Sequence, residues 1–360
     1  MTPKERWLAA IHAQPIDRLP FWPKLNASYP IAQSVPFLRM TLDALHQWIG
    51  SDMHQWLPAC LREKRSKTSF EISTSGKIQT TTFRTRNAQT QLIKKFDETS
   101  QSWHPIVFPI KRLEEIELMT DFFSDASIAL NDEALALAKE QVSRIGDDAL
   151  TASAIGKSAL MDFVEMLAGV ETAHYLLADH PAAVEALFAA IHKVLLEKTR
   201  ILAENSPADV LYMVENTSTT LISPEQYLRY CYEPIHQYAA CTHAAGKPMI
   251  LHTCGHLKAL LPVFNGLPAR AFEAFTSPPL GNTTLLDGRT ACPQKCLIGG
   301  TNAILWTRSA AEIIAQIKRD LDELPHHRGV VLTSAGVMPP LCKPETIKKV
   351  ADWVKAYPVR

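Results

Sequence analysis

His252 and Cys254 stand two residues apart in the stretch KPMILHTCGHLKALL (Lys247–Leu261), at the end of an apolar run and next to Gly255. An imidazole and a thiol are donors that zinc accepts. If PMILHTCG is a strand, residues i and i+2 point the same way, so both side chains leave one face at its C-terminal end. A buried histidine beside an inert core cysteine gives the same pattern. Zinc takes three or four ligands, so further donors are sought at other strand ends. Glu273 lies in the apolar run ARAFEAFT, where a buried carboxylate needs a partner; a metal or a salt bridge would serve. Cys342, in SAGVMPPLCKPETI, falls in a loop expected to return over the same end, or to pack under the last helix. Glu215 and Asn216 close the run DVLYMVEN. They are candidates to take a proton and to orient a substrate, and Glu215 is equally a candidate cap for the following turn.

These residues need a scaffold that brings strand ends together. Eight β-like runs recur along the chain: Leu19–Leu25, Asp52–Leu61, Leu150–Gly156, Asp209–Asn216, Pro248–Gly255, Ala269–Thr276, Cys296–Ala303 and Gly329–Gly336. Helical patterns separate most of them. SPEQYLRYCYEPIHQYAACTHAAG starts with Ser223 as N-cap and Pro224 at the first helical position, and stops at Gly246. Alternating strands and helices argue for a parallel sheet, and eight strands favour a closed (β/α)8 barrel over an open one. Active sites of such barrels lie at the C-terminal strand ends. That places His252, Cys254, Glu273, Glu215 and Asn216 on the working face. CPQKC (Cys292–Cys296) goes to the opposite, bottom face, because Cys296 begins its strand. The Thr-rich, alternating segment Ser69–Glu98 breaks the pattern. It reads as an antiparallel β-meander inserted on the rim after the second strand of an otherwise single-domain barrel.

Bulk composition excludes several functions. The 360 residues carry 37 basic and 37 acidic side chains, so the broad positive field of a nucleic-acid binder is missing. No window approaches 18 apolar residues, which argues against a membrane span. Seven well-separated cysteines fit a reducing cytoplasm. No G-x-G-x-x-G or P-loop occurs, so no nucleotide cofactor on a glycine-rich loop is expected.

With these residues in place, the chain resembles the uroporphyrinogen decarboxylase superfamily over nearly its whole length. The likeness rests on TPKERWLAAIHAQPIDRLPFWP, on ENTSTTLISPEQYLRYCYEPIHQYAACTHAAGKPMILHTCG and on TSAGVMPPLCKPETIKKVADWVK. The superfamily fold is a (β/α)8 barrel. True decarboxylases share an arginine-rich loop, R-Q-A-G-R, after the first strand, which grips porphyrinogen carboxylates. Here PFWPKLNASYP offers Lys24 alone. A substrate with eight carboxylates needs more positive charge.

The other branch is similar to methyltransferases that work with corrinoid proteins on thiols or methyl ethers. The resemblance implies zinc on His252 and Cys254, with a late cysteine as a further ligand. Relatives often carry that cysteine just before Pro-Pro, where this chain has SAGVMPP. Cys342 follows two residues later, so either Cys342 or Glu273 would complete the set. Lys24 and Asn216 are the expected substrate contacts, with Glu215 as the catalytic group. DMHQWL lacks the glycine of the corrinoid-binding D-x-H-x-x-G, so cobalamin would arrive on a separate corrinoid protein. The reading is a zinc-dependent methyltransferase of O-demethylase type, acting on a small-molecule methyl donor or acceptor. The alternatives are a decarboxylase-like carboxy-lyase and a non-catalytic barrel that binds a tetrapyrrole or a corrinoid protein.

Overall fold

Eight short parallel strands form the centre of the computed structural model, which describes residues 1–98 and 100–360. They are β1 (Phe21–Trp22), β2 (Met53–Trp56), β3 (Ala149–Gly156), β4 (Val210–Val214), β5 (Met249–His252), β6 (Ala271–Phe275), β7 (Cys296–Gly299) and β8 (Val330–Thr333). Each pairs with its sequence neighbour from β2 through β8, and β8 returns to pair with β1. At the seam, the Asp52 amide just before β2 donates to the Phe21 carbonyl of β1 at 2.8 Å. The sheet is thus a nearly closed (β/α)8 barrel ringed by helices, and the eight expected strands are the eight observed.

Alternation sorts the strands into two faces. Trp22, Leu150, Ala152, Val210, Tyr212, Ile250, Ala271, Cys296, Ile298 and Val331 pack inside the barrel, and Trp7 with Ile11 of the first helix (Pro3–Ile11) joins them. Leu211, Met213, Leu251, Phe272, Leu297, Val330 and Leu332 face the helices and form the larger core. Asp52, fully buried at the seam, accepts from Arg6 at 2.5 Å, from Arg18 at 2.8 and 2.9 Å, and from the Phe21 amide at 3.0 Å. This one carboxylate ties the first helix to β1 and β2.

Helix ends follow their local chemistry. Ser223 caps its helix in a capping box with Gln226, Pro224 sits in the first turn, and Gly246 ends it in the left-handed region at φ +75°. Between β2 and β3 lie four antiparallel strands, Ser69–Ser75, Ile78–Arg84, Gln89–Asp97 and Ser102–Val107, paired in sequence order. The last of them extends the sheet beyond the residues expected from the sequence. Phe70 and Phe83 pack against Phe122 of the helix Leu113–Ser124, at ring centroid distances of 6.2 and 5.0 Å. Among the described residues no helix is long and apolar enough to cross a membrane.

Candidate active site at the barrel mouth

The register sets His252 beside Val214 on one side and Glu273 on the other, at one level of the C-terminal face. His252 follows the parity of Ile250 and Glu273 that of Ala271, so both point inward. Glu273 is fully buried and holds the cluster together. Its Oε1 accepts from Lys24 Nζ at 2.7 Å; its Oε2 meets both the Tyr212 hydroxyl and His252 Nδ1. Lys24 Nζ also donates to the Ala335 carbonyl at 3.0 Å. Four strand ends, from β1, β4, β5 and β6, therefore converge on one carboxylate.

The charges are mutually dependent. Burial works against ionisation of Glu273, but the Lys24 and His252 charges outweigh it and hold the carboxyl well below its usual range. Burial likewise opposes the His252 imidazolium, yet the Glu273 charge and the hydrogen bonds the ring donates to Cys254 and Glu273 raise it to about 9. Tyr212 is pushed well up by burial and by the adjacent carboxylate, so it stays a hydroxyl donor.

Cys254 lies just past β5 and is half-buried. Its thiol points to Asn216 Oδ1 at 3.7 Å, and Asn216 Nδ2 donates to Glu165 Oε2 at 3.0 Å. Glu165 pairs with Lys157 and sits on a π-helical turn, Phe163–Leu167, a distortion frequent at functional sites. The chain can turn after Cys254 because residue 255 is glycine. Its φ is +93°, and a Cβ there would lie 2.6 Å from Ser218 Oγ. A single short helix, Leu261–Phe264, follows before β6. Three non-glycine residues at this face also occupy the left-handed region: Asn216 (+55°), Ala274 (+62°) and Ala335 (+60°), after or within β4, β6 and β8. Such positions cluster where a site over-determines its backbone.

The other expected residues are placed elsewhere. Glu215 shares the outward parity of Leu211 and Met213. Its carboxylate is wholly buried between barrel and helices, where it accepts the Ser158 amide at 2.6 Å and the Ser158 hydroxyl. Burial pushes it up to about 7. It serves the N-terminus of the helix Ala159–Asp162 and does not reach the mouth. Cys342 is buried in the outer core under its loop, with its carbonyl accepting from the Tyr29 hydroxyl; burial pushes its thiol up to about 12. It is not gathered with His252 and Cys254. Cys292 and Cys296 are buried at the opposite end of β7.

The donor chemistry of His252 and Cys254 suits zinc, and Glu273 on Nδ1 is the carboxylate partner that commonly orients a ligating imidazole. The count falls short. Both Glu273 oxygens are engaged, and among the described residues no group of three or more His, Cys, Asp or Glu gathers to hold a metal ion. The arrangement is a two-donor seat, one short of the three protein ligands usual for catalytic zinc.

Tyr212, His54, Trp56, Lys157 and Glu165 are not among the residues singled out from the sequence. Parity was the available signal for the first three: Tyr212, His54 and Trp56 alternate inward with residues already assigned to the barrel interior.

Fold and site together define a (β/α)8 barrel with a buried ionic cluster and a His–Cys pair at its C-terminal mouth. Residues 100–357 match the family Uroporphyrinogen decarboxylase (URO-D), and the chain belongs to that family. No curated protein matches it. Among solved structures, a methyltransferase from Methanosarcina mazei is similar at 14% identity and TM-score 0.60, over 99% of each chain. A D-psicose 3-epimerase solved in the presence of D-fructose aligns with 67% of this chain and 85% of its own, at 12% identity and TM-score 0.37, too weakly to inform the site.

Proposed function

We propose that this chain is a methyltransferase that moves a methyl group between a separate corrinoid protein and a small thiol or methyl ether, at the mouth residues His252 and Cys254. The observation that carries the reading is the cluster around Glu273. Lys24, the cation nearest the position where decarboxylases keep their arginines, is already neutralised by Glu273 at 2.7 Å. A polycarboxylate substrate would meet no arginine there, and a lysine already paired with a buried carboxylate. The whole-length likeness to the Methanosarcina mazei methyltransferase supports the same branch.

In this reading His252 and Cys254 would supply two of the ligands of a zinc ion, which as a Lewis acid would favour the anionic form of a bound thiol or hydroxyl. The chain's own residues prepare that seat. Glu273 fixes the imidazole through Nδ1 and directs Nε2 away from itself. Lys24 and Tyr212 hold Glu273 in turn, so the ring has one orientation. Asn216, fixed by Glu165, sets the direction of the Cys254 thiol. The apolar inner strands limit water beneath the cluster.

The test follows the cobalamin spectrum with a corrinoid protein and a panel of thiols and methyl ethers. The wild type should convert the cofactor between methylated and reduced forms, and Cys254→Ala should not. A wild type that leaves the spectrum unchanged with every donor and acceptor, once loaded with zinc, sinks the proposal.

A further inference from the structure

The inserted meander has two edges, and they differ. Ser102–Val107 carries Pro105, and its pairing with Gln89–Asp97 shifts register between Ile93 and Lys94. A proline and a bulge-like register shift are devices that keep a sheet edge from pairing with another chain. The other edge, Ser69–Ser75, has neither. Its seven residues are all exposed and pair without interruption with Ile78–Arg84 on one side; among the described residues no strand pairs on the other. Phe70 and Ile72 remain 48% and 56% exposed, although Phe70 already packs against Phe122. The strand holds one charged side chain, Glu71, and Arg84 meets it at 3.1 Å.

The hairpin turn fixes which backbone groups face outward. Gly76 and Lys77 form a two-residue loop closed by the Ser75–Ile78 pair, with Gly76 at φ +57°. The closing pair of such a hairpin exchanges its hydrogen bonds inward, and hydrogen-bonded pairs recur at every second residue. Ser75, Ser73, Glu71 and Ser69 therefore bond to the neighbouring strand. The N–H and C=O groups of Phe70, Ile72 and Thr74 point to the open edge.

We infer that this edge pairs antiparallel with the same edge of a second copy of the chain, about a two-fold axis at Ile72. In that register Ile72 lies opposite itself and Phe70 opposite Thr74, and each such pair exchanges two main-chain hydrogen bonds. The two Ile72 side chains meet on one face, and each Phe70 gains a neighbour in Thr74 of the second copy. On the other face Glu71 stands across from Ser73, so no like charges are set opposite each other. The segment is thus complementary to itself, which is what a two-fold interface requires and what singles out a second copy as the occupant. The pairing uses up the free edge of both copies, and the edge with Pro105 resists further addition. Assembly therefore closes at two chains and does not grow into a fibre. The contact lies on the meander and is independent of the chemistry at the mouth.

Sedimentation velocity over a concentration series of the purified chain reads the assembly. The wild type should reach a dimer. Ile72→Lys and Ile72→Glu should each weaken dimerisation by roughly tenfold or more, because both copies lose the Ile72 contact and like charges face each other at the axis. An equimolar mixture of the two variants should recover dimer, since position 72 then meets the opposite charge; a general loss of folding could not give that result. Ile106→Lys, on the edge with Pro105, should dimerise like the wild type. A wild type that stays monomeric at every concentration overturns the inference. So does a dimer that both Ile72 variants leave intact, which puts the contact elsewhere. Failure of the mixture to recover would remove the axis from Ile72, and growth beyond the dimer that Ile106→Lys stops would refute the closed pairing.

Discussion

The Lys24–Glu273 pair should show strong energetic coupling in a double-mutant cycle. Lys24 is 15% exposed and Glu273 not at all, and their charged atoms are 2.7 Å apart. At an effective dielectric of about 20, two unit charges at that separation attract by roughly 6 kcal/mol. The residual partners reduce what a mutation reads. Without Lys24, Glu273 keeps His252 and Tyr212; without Glu273, Lys24 keeps the Ala335 carbonyl. Lys24→Met and Glu273→Gln should each cost about 3–5 kcal/mol, because each strands a buried charge. The double variant should cost well under their sum, with a coupling of about 2–4 kcal/mol. Urea unfolding followed by far-UV circular dichroism at pH 7.5 measures all four proteins. Additivity within about 0.5 kcal/mol would mean the two groups do not act as a pair, and the ionic cluster would lose its central member.

Other outcomes follow from single sites. Asp52→Ala should destabilise the fold by about 3–5 kcal/mol, since it leaves Arg6 and Arg18 without their shared buried carboxylate; the urea midpoint reads this. His46 is buried in the helix Leu42–Ile49, and burial lowers it to about 4. The unfolded chain binds that proton first, so its stability contribution is complete above about pH 6.5 and is lost as pH falls to about 4, a change of about 3 kcal/mol. His46→Gln should flatten the stability profile in that window, and an unchanged slope would contradict the assignment. Elemental analysis after zinc resupply should find Cys254→Ser depleted and Cys342→Ser like the wild type, because only Cys254 stands beside His252. Glu215→Gln should retain methyl transfer, as its carboxylate faces the helices; loss of turnover in a folded protein would return it to the chemistry.

Much of the barrel was legible because inward and outward positions alternate with period two while the intervening helices repeat near 3.6. All eight strands were recognisable, although β1 is only Phe21–Trp22, far shorter than its apolar run. Ser102–Val107 escaped notice because Pro105 interrupts its alternation. His252 and Cys254 were visible as a local pair, and Glu273 as a charge in an apolar run. What joins them was not local. Lys24 reaches Glu273 across 249 positions of sequence, and only barrel closure brings them together. Glu215 shares the parity of Leu211 and Met213, so its carboxylate turns outward to the Ser158 amide although it stands at a strand end. Cys342 was placed by its loop, and loop paths carry no periodicity from which to read a side chain's direction.

The most direct measurement of the central claim sets the two chemistries of this fold against each other in one preparation. Zinc-supplied protein would be given uroporphyrinogen in one arm, with carbon dioxide release followed. In the other arm it would be given a corrinoid protein with methylated donors, and the cobalt spectrum followed. The account predicts methyl transfer that needs Cys254 and no decarboxylation above background. Decarboxylation at an ordinary enzymatic rate, with no methyl group moved even in the presence of the corrinoid protein, would contradict it.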